Sequence, residues 1–110
     1  MSTPKLLFLL LAFLSCEVKP PPDITDPGQL LFLGYTRQEV NCTRCHAPDG
    51  QGGQQAPDIR KVFEKHDAET IVRIVMEGKG LGNDAMPGFA EHLSREEVDF
   101  LVNFLRSLGQ

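Results

Sequence analysis

The five residues Cys42-Thr43-Arg44-Cys45-His46 constrain this 110-residue chain more than any other stretch. Two thiols three positions apart, with a histidine directly after the second, form the attachment signature of a c-type haem. Each cysteine can form a thioether to one vinyl group of a porphyrin, and two intervening residues let both reach one edge of the ring. His46 is then carried beneath the plane, where its imidazole becomes the proximal iron ligand. A chain built on this motif has to wrap one covalently held macrocycle, so the expected cofactor is a single haem c on Cys42, Cys45 and His46.

Two other uses of the thiol pair compete. A structural zinc site needs four ligands, commonly two Cys-x-x-Cys pairs or one pair with two histidines. The chain offers one further cysteine, Cys16, in its N-terminal segment, and two isolated histidines, His66 and His92. A redox dithiol of the thioredoxin type needs a βαβ setting, which a small helical domain does not provide.

The N-terminus bears on compartment. Lys5 precedes nine apolar residues, Leu6 to Leu14. A finished transmembrane helix needs about 20, so the run fits the central part of an export signal instead. Ser15-Cys16 follows and resembles a bacterial lipoprotein signal, in which the cysteine is lipidated and becomes the mature N-terminus. Phe13 and Leu14 stand where that pattern prefers Leu and then Ala or Ser. An ordinary cleaved signal and an uncleaved anchor are the alternatives, but an Ala-x-Ala-like site and a long enough apolar segment are both missing. Lipid on Cys16 also closes the cysteine count, since haem takes the other two of three; no disulfide is expected.

Glu17 to Asp26 reads as a linker, because Pro20-Pro21-Pro22 favours polyproline II and forbids helix. Ten such residues reach roughly 30 Å, at about 3.1 Å each. The expected organisation is an export signal over 1–15, a lipidated N-terminus and proline-rich linker over 16–26, and one small domain over 27–110. Its core is modest for its length, and a covalently held ring would supply much of the apolar interior.

The domain reads as all-α. Asp26-Pro27 offers an N-cap and a first-turn proline before Leu30 to Leu33. Asp67 caps a helix through Glu77, with Ile71, Ile74 and Val75 on one face and Gly78 as its stop. Ser94-Arg95-Glu96-Glu97 is a capping box opening a helix that carries Val98, Leu101, Val102 and Leu105, widened by Phe100 and Phe104. No stretch alternates as a strand. Ala47 to Asp58, dense in glycine and proline, reads as a loop whose backbone can approach a ring closely.

Taken together, Cys42 to His46, Asp49-Gly50, Ala56-Pro57-Asp58, Ala85-Met86-Pro87-Gly88-Phe89 and the final helix ending Phe104-Leu105-Arg106-Ser107-Leu108 resemble a small mono-haem cytochrome c with Met/His ligation. The resemblance spans about Gly28 to Gly109 and implies a small cytochrome c fold, with haem attached outside the cytoplasm. It implies that Met86 is the sixth ligand opposite His46. Pro57 would offer its carbonyl to the His46 Nδ1–H, and Phe104 would pack near Gly28 and Phe32. One departure stands out: Phe32 lies ten positions before Cys42, where relatives place the aromatic about one helical turn away. Either Gly34 to Asn41 is an insertion, or Tyr35 shares the aromatic role.

A lone methionine more often fills a core. Met76 fits that description on an apolar helical stripe, whereas Met86 lies in a loop of Gly, Asn, Asp and Pro, 40 residues after His46. His92 and then His66 are the competing sixth ligands. Filled axial positions leave no place for oxygen or peroxide, and a thioether raises the reduction potential relative to a second imidazole. The expectation is a one-electron carrier, not an enzyme, tethered at the outer face of a bacterial membrane. A haem sensor or peroxidase-like domain with a dissociable Met86, and a fixed electron-port subunit of a membrane oxidoreductase, are the alternatives.

Eleven basic and fifteen acidic residues give a net charge of −4, or −5 once Lys5 leaves with the signal. Redox proteins are the expected partners; a basic docking surface on them would suit this charge, but moderate acidity is ordinary for solubility and the charge names no partner. The lipid anchor makes the membrane a further partner, and no nucleic acid is expected.

Overall fold

Local capping sets where the helices begin, and a few close contacts set how they meet. The computed structural model describes residues 18–83 and 85–110. The expected export signal and the lipid site at Cys16 lie outside the described residues. Val18 to Thr25 carries only a turn, closed by the Ile24 N–H donating to the Pro21 carbonyl at 3.1 Å.

Helix α1 spans Pro27–Phe32, and the Asp26 carboxylate accepts from the Gln29 N–H at 2.9 Å. Helix α2 is a single turn, Thr43–His46, inside the thiol motif. A 3₁₀ turn, Val62–Glu64, precedes α3, Ala68–Glu77, which Asp67 caps through the Thr70 N–H at 2.8 Å. The last helix, α4, runs over Arg95–Leu108 with the full reciprocal capping box between Ser94 and Glu97. The three expected helices are therefore present, with α2 and the 3₁₀ turn in addition. Among the described residues no strand forms; one antiparallel bridge pairs Lys79 with Met86. Among them, too, no helix is long and apolar enough to cross a membrane.

The first and last helices carry the fold. A Cβ on Gly28 would lie 2.0 Å from the Phe100 carbonyl oxygen, so only glycine lets α1 lie on α4. Beside that contact the Phe32 and Phe104 rings sit 5.3 Å apart and tilted by 53°, a geometry worth about 0.5–1.5 kcal/mol beyond burial. Helix α3 also packs on α4, with Ile71, Val72 and Val75 buried. Phe32, Val40, Val98 and Leu101 are the largest fully enclosed side chains, each contributing about 1.5–3 kcal/mol by leaving water.

Phe32 itself meets Phe104, so Tyr35, half-buried, does not replace it. Gly34 to Asn41 is an excursion that leaves α1 through Gly34, at φ +85°, and returns where the Cys42 N–H donates to the Phe32 carbonyl at 3.0 Å. Val40 is buried completely, and Arg37 pairs with Glu97 at the start of α4. The inserted residues thus brace the helix pair.

Candidate functional site

The thiol motif takes its shape from a residue just before it. Asn41 Oδ1 accepts the Thr43 N–H at 3.1 Å and also meets the Thr43 hydroxyl, which starts α2 with Cys42 at its cap position. One helical turn then puts Cys42, Cys45 and His46 on the lining of one cavity. Ala47 leaves the turn at φ 65°, an uncommon conformation for a residue with a side chain.

His46 is the one buried polar side chain of the described core. Its Nδ1 lies 3.0 Å from the Pro57 carbonyl oxygen. A carbonyl only accepts, so Nδ1 carries the proton, and Nε2 keeps its lone pair for a metal. The loop that presents Pro57 is tied down on both sides. The Gly52 N–H donates to the His46 carbonyl at 2.7 Å, and the Ile59 N–H donates to the Gly50 carbonyl at 2.8 Å. Asp58 accepts the Arg60 backbone N–H at 2.9 Å and forks with its guanidinium, the closer arm at 2.6 Å. The guanidinium first, and the backbone N–H after it, hold the Asp58 carboxyl down to about 2. Gly52 seats this loop directly on Pro57: its φ is +82° and its Cβ would lie 2.6 Å from the Pro57 carbonyl carbon and oxygen.

The cavity measures about 480 Å³, within the roughly 300–1,000 Å³ of small-molecule sites. Its walls are largely apolar: Phe32 from α1, Ile71, Ile74 and Val75 from α3, Leu101 and Leu105 from α4. Met86 lines it as well, held by mutual backbone bonds with Lys79 at 3.0 and 2.8 Å. Met76 packs against the core and is not part of the lining. Of the two competing histidines, His66 lines the cavity, whereas His92 is exposed and lies off it. Of the two, only His66 is therefore near enough to the cavity to compete with Met86.

The donor set suits a covalently held metal macrocycle. Two thiols, one imidazole with a free nitrogen and one thioether converge on an apolar cavity, the soft and borderline ligands that iron porphyrins take. Burial pushes the free Cys42 thiol up to about 11, with the neighbouring Cys45 adding to the shift. Among the described residues no three His, Cys, Asp or Glu side chains gather closely enough to hold a bare ion.

Asn41, Gly52 and the Asp58–Arg60 fork were not singled out by the sequence. Asn41 and Asp58 each bond an amide two residues ahead, a readable local cue, whereas the role of Gly52 depends on where folding brings Pro57.

Comparison with known proteins agrees. The family described as cytochrome C oxidase, cbb3-type, subunit III matches residues 34–105. Cytochrome c-553I of Paracoccus denitrificans is 33% identical over 82 residues, covering 68% of this chain and 36% of that protein. The quinohemoprotein alcohol dehydrogenase ADH-IIG of Pseudomonas putida is 28% identical over 90 residues, covering 81% of this chain and 12% of the enzyme. Among solved structures, the c-type cytochrome XoxG from Methylobacterium extorquens AM1 superposes with a TM-score of 0.57 at 28% identity, over 73% of this chain and 50% of its own. The KustC0563 c-type cytochrome superposes with a TM-score of 0.60 at 28% identity, over 76% and 98%. The chain spans about a third or less of the curated relatives it matches. An all-α fold around a ligand-lined cavity, with this match over most of its length, makes the chain a member of the c-type cytochrome family of the cbb3-type oxidase subunit III domain, whose cofactor is covalently bound haem c.

Proposed function

We propose that the domain is a one-electron carrier in which Cys42 and Cys45 hold the haem by thioether bonds and His46 and Met86 occupy its two axial positions. The bound group supplies reversible Fe(III)/Fe(II) exchange. The chain's residues set its terms. Pro57 accepts the Nδ1 proton, fixes the imidazole tautomer and makes the ring a stronger donor. Met86 offers an uncharged sulfur that favours the reduced iron. Phe32, Ile71, Val75, Leu101 and Leu105 keep water from the ring faces. With both axial positions filled, substrate has no place at the metal.

The observation that carries this reading is the pairing of His46, its Nδ1 already engaged by Pro57, with Met86 on the lining of one cavity. Optical spectra of the exported protein, oxidised and reduced, test it. A c-type spectrum with the weak long-wavelength sulfur-to-iron band is expected. That band should vanish in Met86→Ala and persist in Met76→Ala. Rapid stoichiometric binding of carbon monoxide to the reduced wild type would overturn the closed site in favour of a sensor or peroxidase-like domain.

The apolar run before Ser15-Cys16 supports export, with lipid on Cys16 and the linker holding the domain at the periplasmic side of a bacterial membrane. Mass measurement of the membrane-extracted protein tests the anchor: a mature N-terminus at Cys16 with acyl chains is expected, and an unmodified Cys16 rules it out. Redox proteins serve as donor and acceptor. A second reading is favoured by the family's description as an oxidase subunit and by the match to 12% of a dehydrogenase: the domain is the fixed electron port of an oxidoreductase. Co-purification with other subunits at constant stoichiometry through high salt distinguishes it from a ranging carrier.

A further inference from the structure

The segment bearing Met86 is seated on the end of α3 by a pair of glycines. Gly78 ends the helix at φ +85°, and a Cβ there would lie 2.6 Å from the Met86 carbonyl oxygen and 2.8 Å from the Gly88 nitrogen. A Cβ on Gly88 would lie 2.6 Å from the Glu77 carbonyl carbon and from the Met76 carbonyl oxygen. The two backbones therefore touch where neither residue has room for a side chain. Hydrogen bonds close the contact. Lys79 N–H donates to the Met86 carbonyl at 3.0 Å and Met86 N–H donates to the Lys79 carbonyl at 2.8 Å. Beyond Gly88, the Phe89 and Ala90 N–H groups donate to the Val75 and Met76 carbonyls at 2.9 and 3.1 Å, satisfying α3 carbonyls that a helix end leaves open.

The tip of the same loop is built differently. Leu81 is 97% exposed, and a Cβ on Gly82 would meet nothing. The order of the Met86 segment therefore comes from its two ends and not from the tip.

We infer that Gly78 and Gly88 are positioning residues for the axial sulfur, forming a clasp that keeps Met86 at the iron. This rests on the reading of Met86 as sixth ligand. A thioether is uncharged and binds iron weakly, so its occupancy depends on how densely the chain holds it near the metal. The clasp supplies that density by fixing both backbone polar groups of Met86. It makes the domain a closed carrier instead of one whose sixth position exchanges.

The test uses the full-length, haem-loaded protein in wild type, Gly78→Ala, Gly88→Ala, Leu81→Ala and Met86→Ala forms. The glycine variants are expected to keep covalent haem yet lose the sulfur-to-iron band, bind carbon monoxide when reduced and show a lowered reduction potential, as Met86→Ala does. Leu81→Ala is expected to match wild type in all three. Glycine variants that melt earlier but retain the band and exclude carbon monoxide overturn the clasp, as does loss of the band in Leu81→Ala. A band that persists in Met86→Ala overturns the ligand assignment itself. Should the glycine variants fail to accumulate haem, amide hydrogen exchange on the wild type decides: slow exchange at Lys79 and Met86 with fast exchange at Leu81 and Gly82 is expected, and fast exchange at Met86 sinks the inference.

Discussion

The Nδ1 of His46 and the carbonyl oxygen of Pro57 stand 3.0 Å apart across eleven residues of sequence. That bond decides which imidazole nitrogen faces the cavity. It also sets how much electron density the ring offers to a metal, since a hydrogen-bonded Nδ1–H makes the ring more imidazolate-like and stabilises the oxidised iron.

Gly52 is the residue through which this bond is most easily disturbed. Alanine there would have to hold φ +82° with its Cβ 2.6 Å from the Pro57 carbonyl. The left-handed conformation alone costs about 1–2 kcal/mol. Gly52→Ala should lower the unfolding free energy by at least that much and raise the reduction potential as the carbonyl is pushed off Nδ1. Denaturant unfolding and a redox titration of the haem-loaded variant measure the two effects separately.

Gly28 is the tightest point between α1 and α4. A methyl group 2.0 Å from the Phe100 carbonyl oxygen cannot be accommodated without separating the helices and disturbing the Phe32–Phe104 pair. Overpacking of this kind costs about 3 kcal/mol. Gly28→Ala is expected to lose that much stability in denaturant melts, while the ligand-dependent bands of the folded fraction stay unchanged.

Val40 tests whether the inserted residues belong to the core. It is fully buried, and removing two methyl groups forfeits about 1.6 kcal/mol of transfer free energy before any cavity is counted. Val40→Ala should be destabilised by about 2 kcal/mol in urea. A change within experimental error would show the excursion to be a surface loop.

Glu97 gives the fold an acid-sensitive brace. Its carboxylate accepts the Ser94 N–H at 3.0 Å and pairs with Arg37. The Ser94 amide first, and Arg37 after it, hold its pKa below the ordinary 4.5. A carboxylate depressed on folding stabilises fully above its unfolded value, and that contribution fades as the pH falls through the folded one. Glu97→Gln keeps an acceptor for Ser94 and removes the charge. Because the pair is partly solvent-exposed, the variant should be less stable at neutral pH by no more than about 1 kcal/mol. The gap should close as the pH drops below 4.5, followed by urea unfolding across a pH series.

Features of a few residues' span were legible before folding. The thiol motif named the cofactor, and Asp26, Asp67 and Ser94 marked three helix starts, because a cap bonds an amide only two or three residues ahead. The apolar stripe of α4 was equally plain from its period. What the sequence left open was long-range. It ranked His92 above His66, although only His66 reaches the cavity. It left Gly34 to Asn41 undecided until Val40 and Arg37 were seen against the core and α4. Gly52 and Gly88 read as ordinary loop glycines, Gly78 only as a helix stop and Gly28 only as a neighbour of Phe104 that the resemblance implied, yet each is required by backbone that packs against it in the fold. Periodicity and capping are properties of neighbours in sequence. Which backbone lies 2.6 Å from a missing Cβ is a property of the folded path alone.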